Sequence, residues 1–208
     1  GAGGANILAY QLESSQRDSI PIAVGVSDAE CPLGPLASWA SPDALATYKG
    51  PVSLDGVQAI IDLVDASSEP VCLLGLAPFS TVARVLEVAP RVAAKLVPTI
   101  MGGSYFIGYN MSRTPSAEYN VAMNSSAAAT VLGSRFAAPL QVAPLDVTAN
   151  AQIQNTSYQR ILDANDTSAV VRTVLSAYAH WLRILPHPEA PVAPHLRGPS
   201  SVLYDPVA

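Results

Sequence analysis

Residues 95–120 read KLVPTIMGGSYFIGYNMSRTPSAEYN. Residues 95–100 form an apolar run with β-branched positions, the composition of a strand, and Met101-Gly102-Gly103 breaks it. Paired glycines directly after a strand permit a sharp turn and a close approach of backbone to ligand. From Ser104 to Asn120 the pattern turns loop-like and polar-aromatic. Glu118 and Asn120 alternate about Tyr119, so an extended segment would present both on one side. A carboxylate and an amide there supply an acceptor and a mixed donor–acceptor, the pair that neighbouring sugar hydroxyls require.

Working outward, short apolar runs at 20–26, 71–76 and 140–145 read as further strands. Helical spacing falls between them, at 5–15, 54–66, 81–88, 124–132 and 169–185. In the second of these, Val57, Ile60, Ile61 and Val64 mark one face. Asn124 or Ser125 is a candidate N-cap for the fourth. Residues 28–51, rich in Pro, Gly and Ser, read as a long loop, and five prolines between 186 and 199 mark an extended connection. Strands alternating with helices predict an α/β fold, an open and mainly parallel Rossmann-like sheet flanked by helices, in a single domain over residues 1–208. Ligands of such sheets bind outside the carboxyl ends of the strands, which singles out residues 77–81, 101–120 and Asp205.

The chain has 208 residues, 50% hydrophobic and 13% charged, enough for a sizeable core and unlike a disordered tail. A net charge of −5 with eleven Lys and Arg argues against a nucleic-acid surface, which needs clustered cations. No apolar run approaches the roughly 18 residues of a membrane span. Residues 1–6 have neither a basic n-region nor an apolar h-region, so no intact signal peptide is expected there. Cys72 sits in a run that reads as a buried strand, where a thiol behaves as a small hydrophobe; its pairing with Cys31 stays open. Four Asn-x-Ser/Thr triplets, at Asn110, Asn124, Asn155 and Asn165, point to a secreted, extracellular glycoprotein, with Asn124, Asn155 and Asn165 as glycosylation sites. His180, His187 and His195 read as solvated or locally bonded histidines rather than a zinc site. Ser104 lacks a nucleophile elbow.

The order of the motifs resembles that of the inosine–uridine preferring nucleoside hydrolases. Met101-Gly102-Gly103, Gly108-Tyr109-Asn110 and Ala117-Glu118-Tyr119-Asn120 look like that family's Met-Gly-Gly, Gly-Asn and Ala-Glu-Phe/Tyr-Asn. Ala77-Pro78-Phe79-Ser80-Thr81-Val82-Ala83 is similar to its Gly-Pro-Leu-Thr-Asn-Ile-Ala. Pro144-Leu145-Asp146-Val147-Thr148 is similar to its Leu-Asp-x-Thr segment, and Tyr204-Asp205-Pro206-Val207-Ala208 to its His-Asp-Pro-x-Ala. Residues 20–25 look like the strand after its second helix. The resemblance implies hydrolysis of the N-glycosidic bond of ribonucleosides to ribose and base, a purine and pyrimidine salvage reaction. It implies a calcium ion, with Asp205 and the Ser80 carbonyl as ligands, and a ribonucleoside or ribose-like ligand held by Asn110, Glu118 and Asn120 with Met101 beside them. Carboxylates near the ribose would stabilise the oxocarbenium-like charge of the transition state.

The departures are as specific as the matches. The family opens on a strand ending in Asp-x-Asp-x-x-x-Asp-Asp, which supplies the base and most calcium carboxylates. The acids before Cys31 are Glu13, Asp18, Asp28 and Glu30, and none has that spacing. The reading therefore expects a fold truncated at its N-terminus and lacking the family's C-terminal end, with no catalytic residue of its own. Thr81 stands where the family has Asn, Ser80 where it has Thr, and Tyr204 where some members have His. Asn110 also lies in a glycosylation triplet, a role incompatible with a ribose pocket. Asp146 reads as a capping or turn carboxylate. Two functions follow: a nucleoside hydrolase incomplete or inactive as this chain, or a secreted glycoprotein that keeps the fold as a structural, assembly or sugar-binding protein. A homo-oligomer stays open under both.

Overall fold

A computed structural model of the protein describes residues 1–27, 35–184, 200 and 202–205. The chain opens with α1 (Ala2–Ser14), β1 (Ile22–Ala23), α2 (Ala44–Thr47) and β2 (Val52–Ser53). Then come α3 (Gly56–Ala66), β3 (Val71–Gly75), α4 (Ser80–Val88) and β4 (Leu96–Met101). The short α5 (Tyr119–Ala122) precedes α6 (Ser125–Gly133), β5 (Gln141–Ala143) and α7 (Leu145–Thr148). Last are α8 (Asn155–Asp163) and α9 (Ala169–Ile184). Every strand pairing among the described residues is parallel: β1 with β2, and β3-β4-β5 in that order. The open parallel sheets flanked by helices that the alternation predicts are present.

The described residues cluster into two compact units. One draws on residues 1–24, 35–54, 152–184 and 200; the other on residues 25–27, 55–151 and 202–205. In the first, Ala5 and Ala9 give α1 a shallow face that packs on Ile22, Ala44 and Tyr48. The Tyr48 hydroxyl donates to the Ile20 carbonyl at 2.6 Å, so its buried ring keeps a polar partner. Trp39 Nε1 donates to Ser176 Oγ at 3.1 Å, and Ser38 Oγ lies 2.9 Å from His180 Nε2, tying the 3-10 turn Pro35–Ser38 to α9. His180 is thus locally bonded, and His187 and His195 lie outside the described residues.

In the second unit, the β3-β4-β5 sheet carries helices whose apolar spacing matches their buried faces. Ile61 and Val64 of α3 meet Val85 of α4, Val92 and Leu96. Phe79, Ala83 and Leu86 meet Ala127, Ala128 and Val131 of α6 over Ile100. Burying one of the larger of these side chains, such as Ile61, Leu96 or Phe79, stabilises the fold by about 1.5–3 kcal/mol. Three expectations are corrected here. The strand at 20–26 is reduced to two paired residues. The segment 28–51 holds α2 and a 3-10 turn. The strand at 71–76 is half-buried rather than buried: Cys72 is an exposed free thiol and Leu74 is 57% exposed, because alternate side chains of β3 face away from the core. Cys31 lies outside the described residues.

Candidate ligand pocket at the carboxyl ends of the strands

β4 ends at Met101, and the backbone turns at once. The Gly102 N–H donates to the Ala143 carbonyl at 3.2 Å, and Gly103 takes a φ of 85°, which suits glycine. A Cβ on Gly102 would lie 2.9 Å from Phe79 Cζ and 3.3 Å from Glu118 Oε2, so this glycine is set by close approach. Glu118, 3% exposed, receives three backbone amides: Gly103 at 3.0 Å, Asn120 at 2.9 Å and Val121 at 3.2 Å. Its carboxylate thus caps α5 while binding the turn after β4. Asn120, 6% exposed, donates through Nδ2 to the Met101 carbonyl at 3.1 Å. The extended segment expected through Tyr119 is corrected: Glu118 is extended, but Asn120 sits in a helical turn. The two meet because the capping carboxylate folds back over its own helix.

Tyr204 and Asp205 complete the cluster. The Tyr204 ring packs edge-on against Tyr109 with centroids 5.8 Å apart, and the Tyr109 hydroxyl accepts the Tyr119 N–H at 2.9 Å. A cavity of about 420 Å³ results, lined by Met101, Glu118, Asn120 and Asp205 on its polar side. Tyr109, Tyr119 and Tyr204 line it as well, with Leu76, Ala77 and Pro78 after β3. Desolvation, reinforced by the negative Glu118, raises the Asp205 carboxyl above its ordinary value. The arrangement offers acceptors and an amide to a polyol, and aromatic faces to a flat or apolar group. The wider groove of the first unit, about 610 Å³, is lined mainly by apolar residues with Asn6 and Asp43, and brings no such set together.

Met101, Glu118, Asn120 and Asp205 are therefore gathered in one pocket, and three other singled-out residues are placed elsewhere. Asn110 is exposed, at a φ of 55°, and does not line the cavity. Ser80 is buried as the first residue of α4, where Ser80 Oγ accepts from Asn124 Nδ2 at 2.8 Å, and it too is absent from the lining. Asn124 caps α6, accepting the Ala127 N–H at 2.9 Å. Sequence reasoning missed Tyr109 as a pocket wall, and read Asp146 as a capping or turn carboxylate without its distant partners. The Asp146 carboxylate in fact receives the amides of Tyr105 and Phe106 at 2.8 Å each and of Ile107 at 3.2 Å. That separation of about forty residues leaves no local trace.

Calcium takes six to eight oxygen ligands. Among the described residues no group of three or more His, Cys, Asp or Glu is placed to hold a metal ion. In the pocket, Asp205 is available, while the Glu118 oxygens are engaged by three amides. This donor set does not by itself fit calcium.

The pyrimidine-specific ribonucleoside hydrolase RihA of Enterobacter sp. (strain 638) is 35% identical over 115 residues, covering 55% of this chain and 35% of that protein. RihA of Salmonella typhi is 32% identical over 133 residues, 63% of this chain and 41% of that protein. The chain thus spans well under half the length of these relatives. Among solved structures, an inosine-guanosine nucleoside hydrolase superposes with a TM-score of 0.74 at 18% identity, covering all of this chain and 65% of that one. The effector XopQ, solved with adenosine diphosphate ribose, gives a TM-score of 0.60 at 18% identity, over 98% of this chain and 65% of that one. At such identities these structures speak for the fold. The profile described as inosine-uridine preferring nucleoside hydrolase matches residues 3–208, nearly the whole sequence, and the chain belongs to that family.

Proposed function

We propose that the pocket of Met101, Glu118, Asn120 and Asp205 is the sugar-binding part of a ribonucleoside hydrolase site. We propose further that these residues bind the sugar without cleaving nucleosides at an enzymatic rate. The observation that carries this reading is the convergence of Glu118, Asn120 and Asp205, separated by up to 87 residues in sequence, on one cavity. Glu118 held by three amides presents a fixed acceptor, and Asn120 is oriented by its bond to Met101. Cleavage needs a carboxylate free to deprotonate water, and losing such a base typically costs about 10²- to 10⁴-fold. The family generally uses a metal ion; for calcium, Asp205 is the residue of this pocket suited to contribute, together with oxygens beyond those gathered here. The relatives' names point to pyrimidine or purine ribonucleosides as the ligand class.

The test uses residues 1–208 with calcium present. Uridine or inosine is expected to bind, to lose roughly tenfold or more in affinity on Glu118→Gln, and to release no reducing sugar above the uncatalysed rate. Turnover abolished by Glu118→Gln would overturn the non-catalytic part. Unchanged binding in that variant would overturn the site.

We also propose secretion, with the fold serving as a glycoprotein that binds sugar or assembles without catalysis as the second reading. Its support is Asn155, exposed as the first residue of α8, where a glycan has room. Asn165 is half-buried beside Asp166, and Asn124 would have to give up its bond to Ser80. Peptide mass spectrometry of protein from its native source, with and without glycosidase, is expected to find glycan at Asn155 first. Bare asparagine at Asn155 and Asn165 would count against it.

A further inference from the structure

The binding pocket depends on a loop whose outermost turn is held from outside the loop. Between Gly103 and Tyr109 the chain leaves β4, swings outward and returns to place the Tyr109 ring on the pocket wall. Its outermost residues, Tyr105 and Phe106, are 60% and 78% exposed, so apolar burial cannot fix them. Their backbone amides have one acceptor, the carboxylate of Asp146. Tyr105 donates to Oδ2 at 2.8 Å; Phe106 and Ile107 donate to Oδ1 at 2.8 and 3.2 Å.

Asp146 is itself firmly placed. It is the second residue of α7, directly after β5, where the Leu145 N–H donates to the Gly103 carbonyl at 2.9 Å and Leu145 is fully buried against Met101. Ile107 and Tyr109 pack on that same cluster. The rest of the loop is closed by hydroxyls: Ser104 Oγ donates to the Ile107 carbonyl at 2.8 Å, Ser116 donates its N–H to Ser104 Oγ at 3.0 Å, and Tyr109 donates its N–H to Ser116 Oγ at 3.2 Å. Gly108 leaves space for this bracing, since a Cβ there would strike Ser116 Oγ and the Thr114 carbonyl.

We infer that Asp146 is the positioning residue of the ligand pocket: by gathering three successive amides, it holds the 103–109 loop in the one conformation that seats Tyr109 against Tyr204 on the pocket wall. It is not among the residues that line the pocket and acts through the loop. Charge-assisted bonds to an ionised acceptor are about twice as strong as neutral ones, and three on one carboxylate cannot be matched by an amide side chain. The amide of Tyr105, ahead of those of Phe106 and Ile107, holds the Asp146 carboxyl below the ordinary range, as the same geometry requires. That Tyr109 contacts a nucleoside rests on the function proposed above; the clamp itself does not.

The experiment uses nitrogen-labelled residues 1–208 followed by NMR. In the unmodified protein the amide signals of Tyr105, Phe106 and Ile107 are expected to move together through one acid titration, with a midpoint below that of an ordinary aspartate. In Asp146→Asn they should lose exchange protection, and the Tyr109 ring signals should shift, while the melting temperature stays within a few degrees. Uridine affinity should fall roughly tenfold or more, because a pocket wall that must be ordered on binding no longer comes preorganised. Independent titration of the three amides overturns the clamp even if Asp146→Asn does not fold, since it needs no variant. Unmoved Tyr109 signals, or unchanged uridine affinity, in a folded Asp146→Asn reduce Asp146 to a structural cap and overturn the inference. If uridine binds neither protein, the nucleoside reading falls, while concerted titration with displaced Tyr109 signals still upholds the clamp.

Discussion

At the residue scale, three buried polar side chains separate cleanly by what they touch. Glu118 and Asn120 are buried with partners, whereas Thr148, 0% exposed, has the one buried side-chain oxygen among the described residues without a partner. An unsatisfied buried hydroxyl forfeits its water without recovering a bond, at about 1–3 kcal/mol. Thr148→Val, which keeps the shape, is therefore expected to be neutral or to stabilise by up to about 1 kcal/mol in urea unfolding. A loss well beyond 1 kcal/mol would mean that the hydroxyl has a function in the folded state. Thr148 was legible in the sequence as part of the Leu-Asp-x-Thr motif. Its lack of a partner was not, because satisfaction depends on which atoms surround it. Glu118 shows the same limit: residue type and motif order marked it, but its engagement by Gly103, fifteen residues earlier, exists only in the folded chain.

At the scale of elements, local patterns located the helices and strands well where apolar spacing was strong. The helices read at 54–66 and 81–88 are α3 (Gly56–Ala66) and α4 (Ser80–Val88), and the strand read at 95–100 is β4 (Leu96–Met101). The short α2, α5 and α7 escaped, since four residues cannot show a 3.6-residue period. The α8 helix lies in polar sequence and owes its position to tertiary neighbours, with Tyr158 buried. Capping is local enough to be read directly: Asn124 was a candidate N-cap of α6, and its Oδ1 accepts the Ala127 N–H. Asn124→Ala is expected to cost about 1–2 kcal/mol, from the lost cap and the lost bond to Ser80. Chemical denaturation measures it; a cost below about 0.5 kcal/mol would show that α6 is held by packing alone.

For the whole molecule, acid stability follows from where the carboxylates sit. Amides hold Asp146 below the ordinary range, and the Ser41 hydroxyl does the same for Asp43. A folded-state pKa below the unfolded value near 3.9 gives stability that is present above that value and is lost as pH falls through the folded one. Asp205 runs the other way: raised by desolvation and by Glu118, it favours folding at low pH and loses that contribution as pH rises through its folded value. Thermal melts of Asp146→Asn beside the unmodified chain separate the two. The deficit of the variant should be full at neutral pH and shrink below about pH 4, as the native carboxylate is protonated too. A deficit independent of pH would show that Asp146 acts by shape rather than by charge.

The sequence by itself determined the order of the longer strands and helices, the parallel class of the sheets, and the loops in which ligand contacts would lie. Each of these depends on periodicity, on glycine and proline breaks, and on motif order along the chain. Only the tertiary structure decided which singled-out residues share a pocket. Asp205 joins Glu118 and Asn120 there, Asn110 turns out to solvent, and Ser80 is buried as the first residue of α4. Only the tertiary structure gave Asp146 and Tyr109 their places. Their partners are set by hydrogen bonds and ring contacts that close over ten to ninety-five residues, and a chain read locally holds no record of a bond whose two ends meet only on folding.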